Sequence, residues 1–260
     1  MKFISDEWSL TLKNLILPVF CKQCGVRLLT EENGYFCPTC WESSPRIERP
    51  FCPQCGRPHT AGAGLGTRGN FLCGPCSAGF EKPPYRRLLA AAHYDGAVAE
   101  AIKLLKFHDK PRLATALGGL MAEQAANELD CHDYDLLLPV PLHRVRRRAR
   151  GFNQAELLAR HLLPFFPNAR LDTSLRRVRP TRVQSRLRTE RERRANVKGA
   201  FALDPPTHVT GKRVLLIDDV VTTGGTVYEC AKVLLNARVA YVDVMVSALA
   251  LPGKSGTMKV

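Results

Sequence analysis

Two groups of residues in this chain have the types and spacing to do chemistry. The first is eight cysteines within residues 21–76, set out as four Cys-x-x-Cys pairs: Cys21/Cys24, Cys37/Cys40, Cys52/Cys55 and Cys73/Cys76. Intervals of 12, 11 and 17 residues separate the pairs, close to the spacing with which thiolates hold tetrahedral zinc. Few aliphatic residues surround them, so metal binding must supply the folding free energy of this segment. One such pair would suit thiol redox chemistry, and eight cysteines in a secreted chain would suit four disulfides. Four successive pairs without a secretion signal favour two structural Zn2+ ions. Filling in chain order gives Cys21, Cys24, Cys37 and Cys40 to one ion and Cys52, Cys55, Cys73 and Cys76 to the other. Counting alone leaves a crossed arrangement open. Cys131 and Cys230 have no nearby partner and read as buried thiols.

The second group lies in the stretch from Val214 to Thr226, where the apolar run Val214–Ile217 is followed by Asp218, Asp219 and a loop of small and hydroxylated residues. Thr222, Thr223, Gly224, Gly225 and Thr226 can offer N–H groups and hydroxyls to a phosphate at the positive end of a helix. The glycines let backbone approach closely. Asp218 and Asp219 would repel a phosphate but suit neighbouring sugar hydroxyls, so a ribose with a phosphate at one end satisfies both halves. The stretch is neither a Walker loop nor a dinucleotide fingerprint. The chain's Gly-x-Gly-x-x-Gly match, Gly64–Gly69, has no apolar strand before it and reads as chance.

These groups need a scaffold. From residue 88 onward, apolar strands alternate with amphipathic helices. Strands are expected at Leu88–Tyr94, Leu136–Val140, Val214–Ile217 and Val239–Val246, and helices at Val98–Phe107, Leu113–Leu129, Asn153–Leu163 and Gly225–Leu235. This repetition predicts an α/β fold, a doubly wound parallel sheet, behind a small N-terminal Cys-rich zinc module. The expected organisation is a helix and double zinc finger over 1–82, the α/β domain over 83–250 and a loose tail over 251–260. A short helix is expected near residues 5–15.

The formal net charge of +14 is concentrated. Residues 141–200 hold 17 Lys/Arg against 4 Asp/Glu, while residues 1–140 balance at 15 each. Such a patch suggests an anionic partner. No apolar run is long enough to span a bilayer, so membrane insertion is not expected. Asp6, Glu7 and Lys13 spoil a signal peptide, which predicts a cytoplasmic protein.

The stretch Val214–Thr226 resembles the phosphoribosyl pyrophosphate (PRPP) signature of type I phosphoribosyltransferases. Leu138–His143, the basic run Arg144–Arg150, the sequence Arg150-Gly-Phe-Asn-Gln154, Ile102–Phe107 and the segment from Gln184 to Phe201 resemble the ComF family, as does the cysteine module. The resemblance implies PRPP as substrate and Mg2+ bridging pyrophosphate and ribose oxygens. It assigns Asp218 and Asp219 to the ribose, and the loop Pro141, Leu142, His143 and Arg144 to the pyrophosphate. Arg146 and Arg147 are available for charge pairing. Such loops often carry an unusual peptide bond. Lys106 is a candidate ligand contact, with Lys103 on the same face, and a polar helix face is the plain alternative. Residues 173–201 would form a mobile hood, with Gln184 and Asn196 near substrate.

Thr222 replaces the acid that purine-salvage enzymes use to handle a base proton. No N-terminal cysteine nucleophile is present either, so glutamine-dependent amination is not expected. The function expected is a phosphoribosyltransferase-type activity linked to DNA uptake and processing of single-stranded DNA, with DNA-uptake or recombination proteins as further partners. The alternatives are a non-catalytic, zinc-dependent single-stranded DNA-binding competence factor with a vestigial or sensory PRPP site, and a zinc-stabilised scaffold.

Overall fold

The computed structural model describes residues 18–28, 34–59, 71–79, 82–181 and 189–251. The helix expected near residues 5–15, the tail over 252–260, Gly64–Gly69 and Gln184 lie outside the described residues.

The Cys-rich part is built twice from one local plan. Strands β1 (Val19–Phe20) and β2 (Arg27–Leu28) form a hairpin around the first pair. Gly25 N–H donates to the Cys21 carbonyl and Cys21 N–H to that of Val26; Gly56, Cys52 and Arg57 repeat the same bonds. Both turns need a left-handed residue, and Gly25 (φ 75°) and Gly56 (φ 70°) provide it. Each second pair opens a short helix, α1 (Pro38–Glu42) after Cys37 and α2 (Gly74–Ser77) after Cys73, with proline pre-set in the first turn.

Strand β3 (Arg87–His93) begins the α/β part, followed by α3 (Gly96–Phe107), α4 (Leu113–Glu128) and β4 (Leu136–Pro139). Then come α5 (Arg144–Arg150), α6 (Gln154–Leu162), β5 (Arg170–Leu171) and β6 (Leu175–Arg177). The remaining elements are α7 (Glu190–Val197), β7 (Phe201–Leu203), β8 (Arg213–Val221), α8 (Gly225–Asn236) and β9 (Tyr241–Leu249). A five-stranded parallel sheet runs in the order β3-β9-β8-β4-β5, while β6 and β7 pair antiparallel as a separate ribbon. Ile102, Leu117, Met121 and Leu158, from α3, α4 and α6, pack on one face with Leu215, Ile217 and Met245. Val227, Ala231 and Leu234 of α8 cover the other with Leu136, Leu216 and Val244. This is the doubly wound parallel sheet expected from the periodicity, with the Cys-rich module ahead of it.

The zinc module is docked on the edge of that sheet. The residue 45–53 segment runs antiparallel to β3: Ile47 N–H donates to the Ala91 carbonyl, His93 N–H to Pro45 and Leu88 N–H to Pro53. Open β edges invite mispairing, and this one is covered. Ile47 and Phe51 join the core beneath it, and a Cβ on Gly56 would stand 2.9 Å from Leu88 Cδ2. The second turn therefore presses directly on the strand.

Three boundaries differ from the sequence expectations. β8 does not stop at Ile217 but pairs through Asp218, Val220 and Val221, and β9 continues to Leu249, because strand–strand hydrogen bonding persists past the apolar run. Arg144, expected in the loop after β4, instead opens a helix over Arg144–Arg150, capped by His143 and ended by Gly151 at φ 80°. The cis peptide bonds among the described residues are Arg49–Pro50 and Asp204–Pro205, so the loop after β4 has none.

Candidate phosphoribosyl and zinc sites

The eight thiols meet in two groups: Cys21, Cys24, Cys37 and Cys40, and Cys52, Cys55, Cys73 and Cys76, with sulfurs in each group within 4.8 Å of one another. Tetrahedral Zn–S bonds of about 2.3 Å require sulfurs about 3.8 Å apart. Cys24 and Cys37 Sγ are 3.8 Å apart and Cys55 and Cys73 Sγ 3.6 Å, so the donor sets fit the ion. The grouping follows chain order, which resolves the pairing that spacing left open. Cys21 Sγ also accepts the Cys37 N–H and is held near pKa 6 by such backbone bonds, which outweigh the opposing effect of burial. A depressed thiol is a readier thiolate ligand.

The second group of residues lies where the carboxyl ends of the strands converge. Asp218 and Asp219 lie inside β8, and successive strand residues point to opposite faces. Asp219 faces α3, where Lys106 Nζ stands 2.8 Å from its Oδ1. Asp218 is on the side of Arg177 and Cys230: the charges of Lys106 and Arg177 oppose the rise in its pKa, and its own charge adds to the burial that keeps the Cys230 thiol neutral. The two acids therefore straddle the sheet instead of presenting one paired face. Both are nearly shut off from solvent, Asp218 at 7% exposed and Asp219 at 2%. Burial, reinforced by the charge of Asp219, pushes the Asp218 carboxyl up to about 7. Asp219 Oδ2 is buried without any hydrogen-bond partner.

Contrast Asp243, fully buried near the opposite end of the sheet. Both its oxygens are matched, by Arg86 at 3.0 and 2.7 Å and by the Tyr134 hydroxyl at 2.7 Å. One buried acid is saturated; the other keeps acceptor capacity unfilled. An oxygen left bare in this way fits a cation or a hydroxyl donor that arrives from outside. The donor set at β8 thus suits Mg2+ and ribose.

Beyond the acids, Thr222, Thr223 and Gly224 form the half-exposed turn into α8, with Gly224 at φ 77°. Gly225 lies against α7, whose Arg194 and Val197 would be 3.5 Å from a Cβ there. Thr226, in the first turn of α8, is half-exposed.

The loop after β4 is pinned from both sides. Asn153 donates to the Val140 carbonyl at 3.1 Å while accepting the Ala155 N–H, and Gln154 accepts from Arg150. Arg150-Gly-Phe-Asn-Gln154 is therefore the turn that fixes α5 to the end of β4. Pro141 is buried, Leu142 and His143 are half-buried, and a cleft lined by Pro139, Pro141, Leu142, Arg147, Asn153 and Thr173 opens beside them.

The arginines divide by helix face. Arg144 is exposed, and Arg147 pairs with Glu156 at 3.3 Å. Arg146 and Arg150, four apart, are half-buried, and Arg177 of β6 joins them. Burial lowers the pKa of all three, and Arg146 repels both others. None pairs with a carboxylate among the described residues. Arg146 donates to the Thr181 carbonyl at 2.8 Å, Arg177 to the Thr181 hydroxyl, and Arg177 Nε is buried without a partner. Charge of one sign, partly desolvated and unpaired, is a hole for an anion.

Of the residues singled out in the sequence, Lys106 faces the acids, whereas Lys103 pairs with Glu100 at 3.3 Å on the outer side. Arg177 was not singled out. It lies at the end of a three-residue strand whose alternation is too short to read; the i, i+4 spacing of Arg146 and Arg150 is the signal that could have marked their shared inner face.

The parallel sheet, the acid-bearing strand leading into a Gly-rich turn and the double cysteine module define a protein of the type I phosphoribosyltransferase fold carrying a double zinc ribbon. Family models agree: residues 12–77 match the double zinc ribbon domain and residues 147–259 the phosphoribosyl transferase domain. The chain is 34% identical over 233 residues to DNA utilization protein YhgH of Escherichia coli O157:H7, covering 88% of this chain and 96% of that protein. It is 29% identical to competence protein F of Haemophilus influenzae, covering 86% and 94%, and 26% identical to competence protein ComFC of Bacillus subtilis, covering 77% and 78%. The chain belongs to the ComF family of competence and DNA-utilization proteins.

No helix among the described residues is long and apolar enough to cross a membrane.

Proposed function

We propose that the protein binds PRPP with Mg2+ at the carboxyl end of β8 and transfers or senses its phosphoribosyl group in the handling of single-stranded DNA. One observation carries this reading: Asp219, a buried acid with one bare oxygen, and the half-buried guanidiniums of Arg146, Arg150 and Arg177, none paired with a carboxylate among the described residues, flank the half-exposed turn into α8. Neither charge set is content alone, and a ligand with sugar hydroxyls between a phosphate and a pyrophosphate answers all three.

In this reading Thr222–Thr226 hold the 5-phosphate, Asp218 and Asp219 accept from ribose hydroxyls, and the residues from Pro141 to Arg144, with the inner arginines, hold the pyrophosphate. Mg2+, if held at the Asp218 and Asp219 carboxylates, would supply positive charge to offset that of the pyrophosphate. The chain's own work is positioning and stabilising the leaving group as negative charge develops on it. The described parts of the hood, residues 173–181 and 189–201, shield the site from water through α7 and the Arg146–Thr181–Arg177 contact. The organisation proposed is a zinc module over 1–82 and a phosphoribosyltransferase domain over 83–250. The test is release of pyrophosphate from PRPP in the presence of nucleobases: the protein releases it and Asp219→Ala does not. Equal rates in the two would reject the assignment.

A second reading is favoured by the outer face of α5, where Arg144 and Arg148 are exposed. There the chain grips single-stranded DNA by its phosphates, with the PRPP site as a sensor and DNA-uptake or recombination proteins as partners. Affinity for an oligonucleotide would then fall steeply and linearly in log–log plots against salt. A flat salt series would dismiss it.

A further inference from the structure

The contact that closes the acid site in the free protein is made by the protein itself. Lys106 Nζ lies 2.8 Å from Asp219 Oδ1, with the lysine side chain 19% exposed and the aspartate 2%. Among the described residues its ammonium alone forms an ion pair with the acid pair, and it occupies one oxygen while Oδ2 of the same carboxylate stays bare. A compact monovalent charge thus half-fills a place with capacity for more.

Lysine is suited to leaving. Its charge rides on four rotatable carbons. Lys106 also lies in the last turn of α3, where the helix dipole favours a cation at more than one position. Arg150, whose guanidinium feels the Asp219 charge, lies across the site on α5, so an anion bound there would draw the ammonium toward itself.

We propose that Lys106 is a tethered stand-in for the divalent cation: in the free protein it neutralises Asp219, and on loading it moves to phosphate oxygens and yields the carboxylate to Mg2+ and ribose. This inference rests on the PRPP reading and adds its regulation. The metal should bind poorly without the anion that relocates Lys106, so that each ligand strengthens the other, as linkage requires. The site then does not fill with free Mg2+ and stay blocked when PRPP is scarce.

The experiment titrates Mg2+ alone, without PRPP, into the full-length zinc-loaded protein, by calorimetry and by thermal melting at pH 8. Lys106→Met keeps the apolar stem and removes the charge; Lys106→Arg keeps the charge. We expect Lys106→Met to bind Mg2+ about tenfold or more tighter than wild type, since it leaves buried acid uncompensated. It should also melt lower without Mg2+ and recover more with it, while Lys106→Arg behaves as wild type. Equal Mg2+ affinity and equal Mg2+-dependent melting in Lys106→Met and wild type would overturn the proposal, even if wild type binds Mg2+ and PRPP together. Failure of wild type to bind PRPP with Mg2+ would instead remove the functional reading, while the Mg2+-alone arm still decides the fate of the ion pair.

Discussion

The acid site should cost the fold stability, and the cost should depend on pH in a defined direction. Burial and the charge of Asp219 raise the Asp218 carboxyl from 3.8 to about 7. Below pH 4 both folded and unfolded chains are protonated there and nothing is lost. Between pH 4 and 7 the unfolded chain ionises while the folded one holds its proton, so stability falls as pH rises. Above 7 the penalty is complete. About three pKa units at about 1.4 kcal/mol each give a penalty of about 4 kcal/mol.

Asp218→Asn cannot ionise and keeps the acceptor oxygen for the Asp219 N–H, now 2.9 Å away. Its amide adds a buried donor at about 1–2 kcal/mol, independent of pH. The variant should therefore match wild type near pH 5 and exceed it by about 2–3 kcal/mol at pH 8, or about 5–10 °C in Tm. Urea unfolding with excess zinc across pH 5–8 measures this. A difference that stays flat with pH, or a variant less stable at pH 8, would mean that Asp218 is already ionised and well paired.

Other consequences follow from the same geometry. Arg146→Ala and Arg150→Ala should each weaken PRPP binding about 10- to 100-fold in equilibrium titrations, whereas Arg148→Ala on the exposed face should not. Arg148→Ala should instead lower the salt slope of oligonucleotide binding by about one unit in a salt series. Metal analysis should return two zinc ions per chain, and chelation should uncover the β3 edge, seen as faster amide exchange at Leu88 and Ala91 and aggregation on warming. Gly224→Ala, forced to φ 77°, should cost about 1–2 kcal/mol in urea unfolding and loosen PRPP.

Much of the scaffold was legible because buried parallel strands and amphipathic helices leave different periodicities. Leu136–Pro139 and Gly225–Asn236 fall within a residue of their expected limits. What failed was local. The apolar run ends at Ile217, but strand pairing is a backbone property and carries Asp218 through Val221 onward, setting the acids on opposite faces. The helix over Arg144–Arg150 was not legible, because a run of arginines says nothing about the helix that His143 and Gly151 delimit. Zinc pairing needed three dimensions, since both groupings satisfy the same spacing. The partnership of Arg177 with Arg146 through Thr181 joins residues 31 apart with no shared motif.

Calorimetric titration of PRPP with Mg2+ into wild type and into Asp218→Asn/Asp219→Asn is the most direct test. The account requires saturable, one-to-one heat in wild type and none in the double variant while both remain folded. Identical isotherms, or no heat in either, would contradict it.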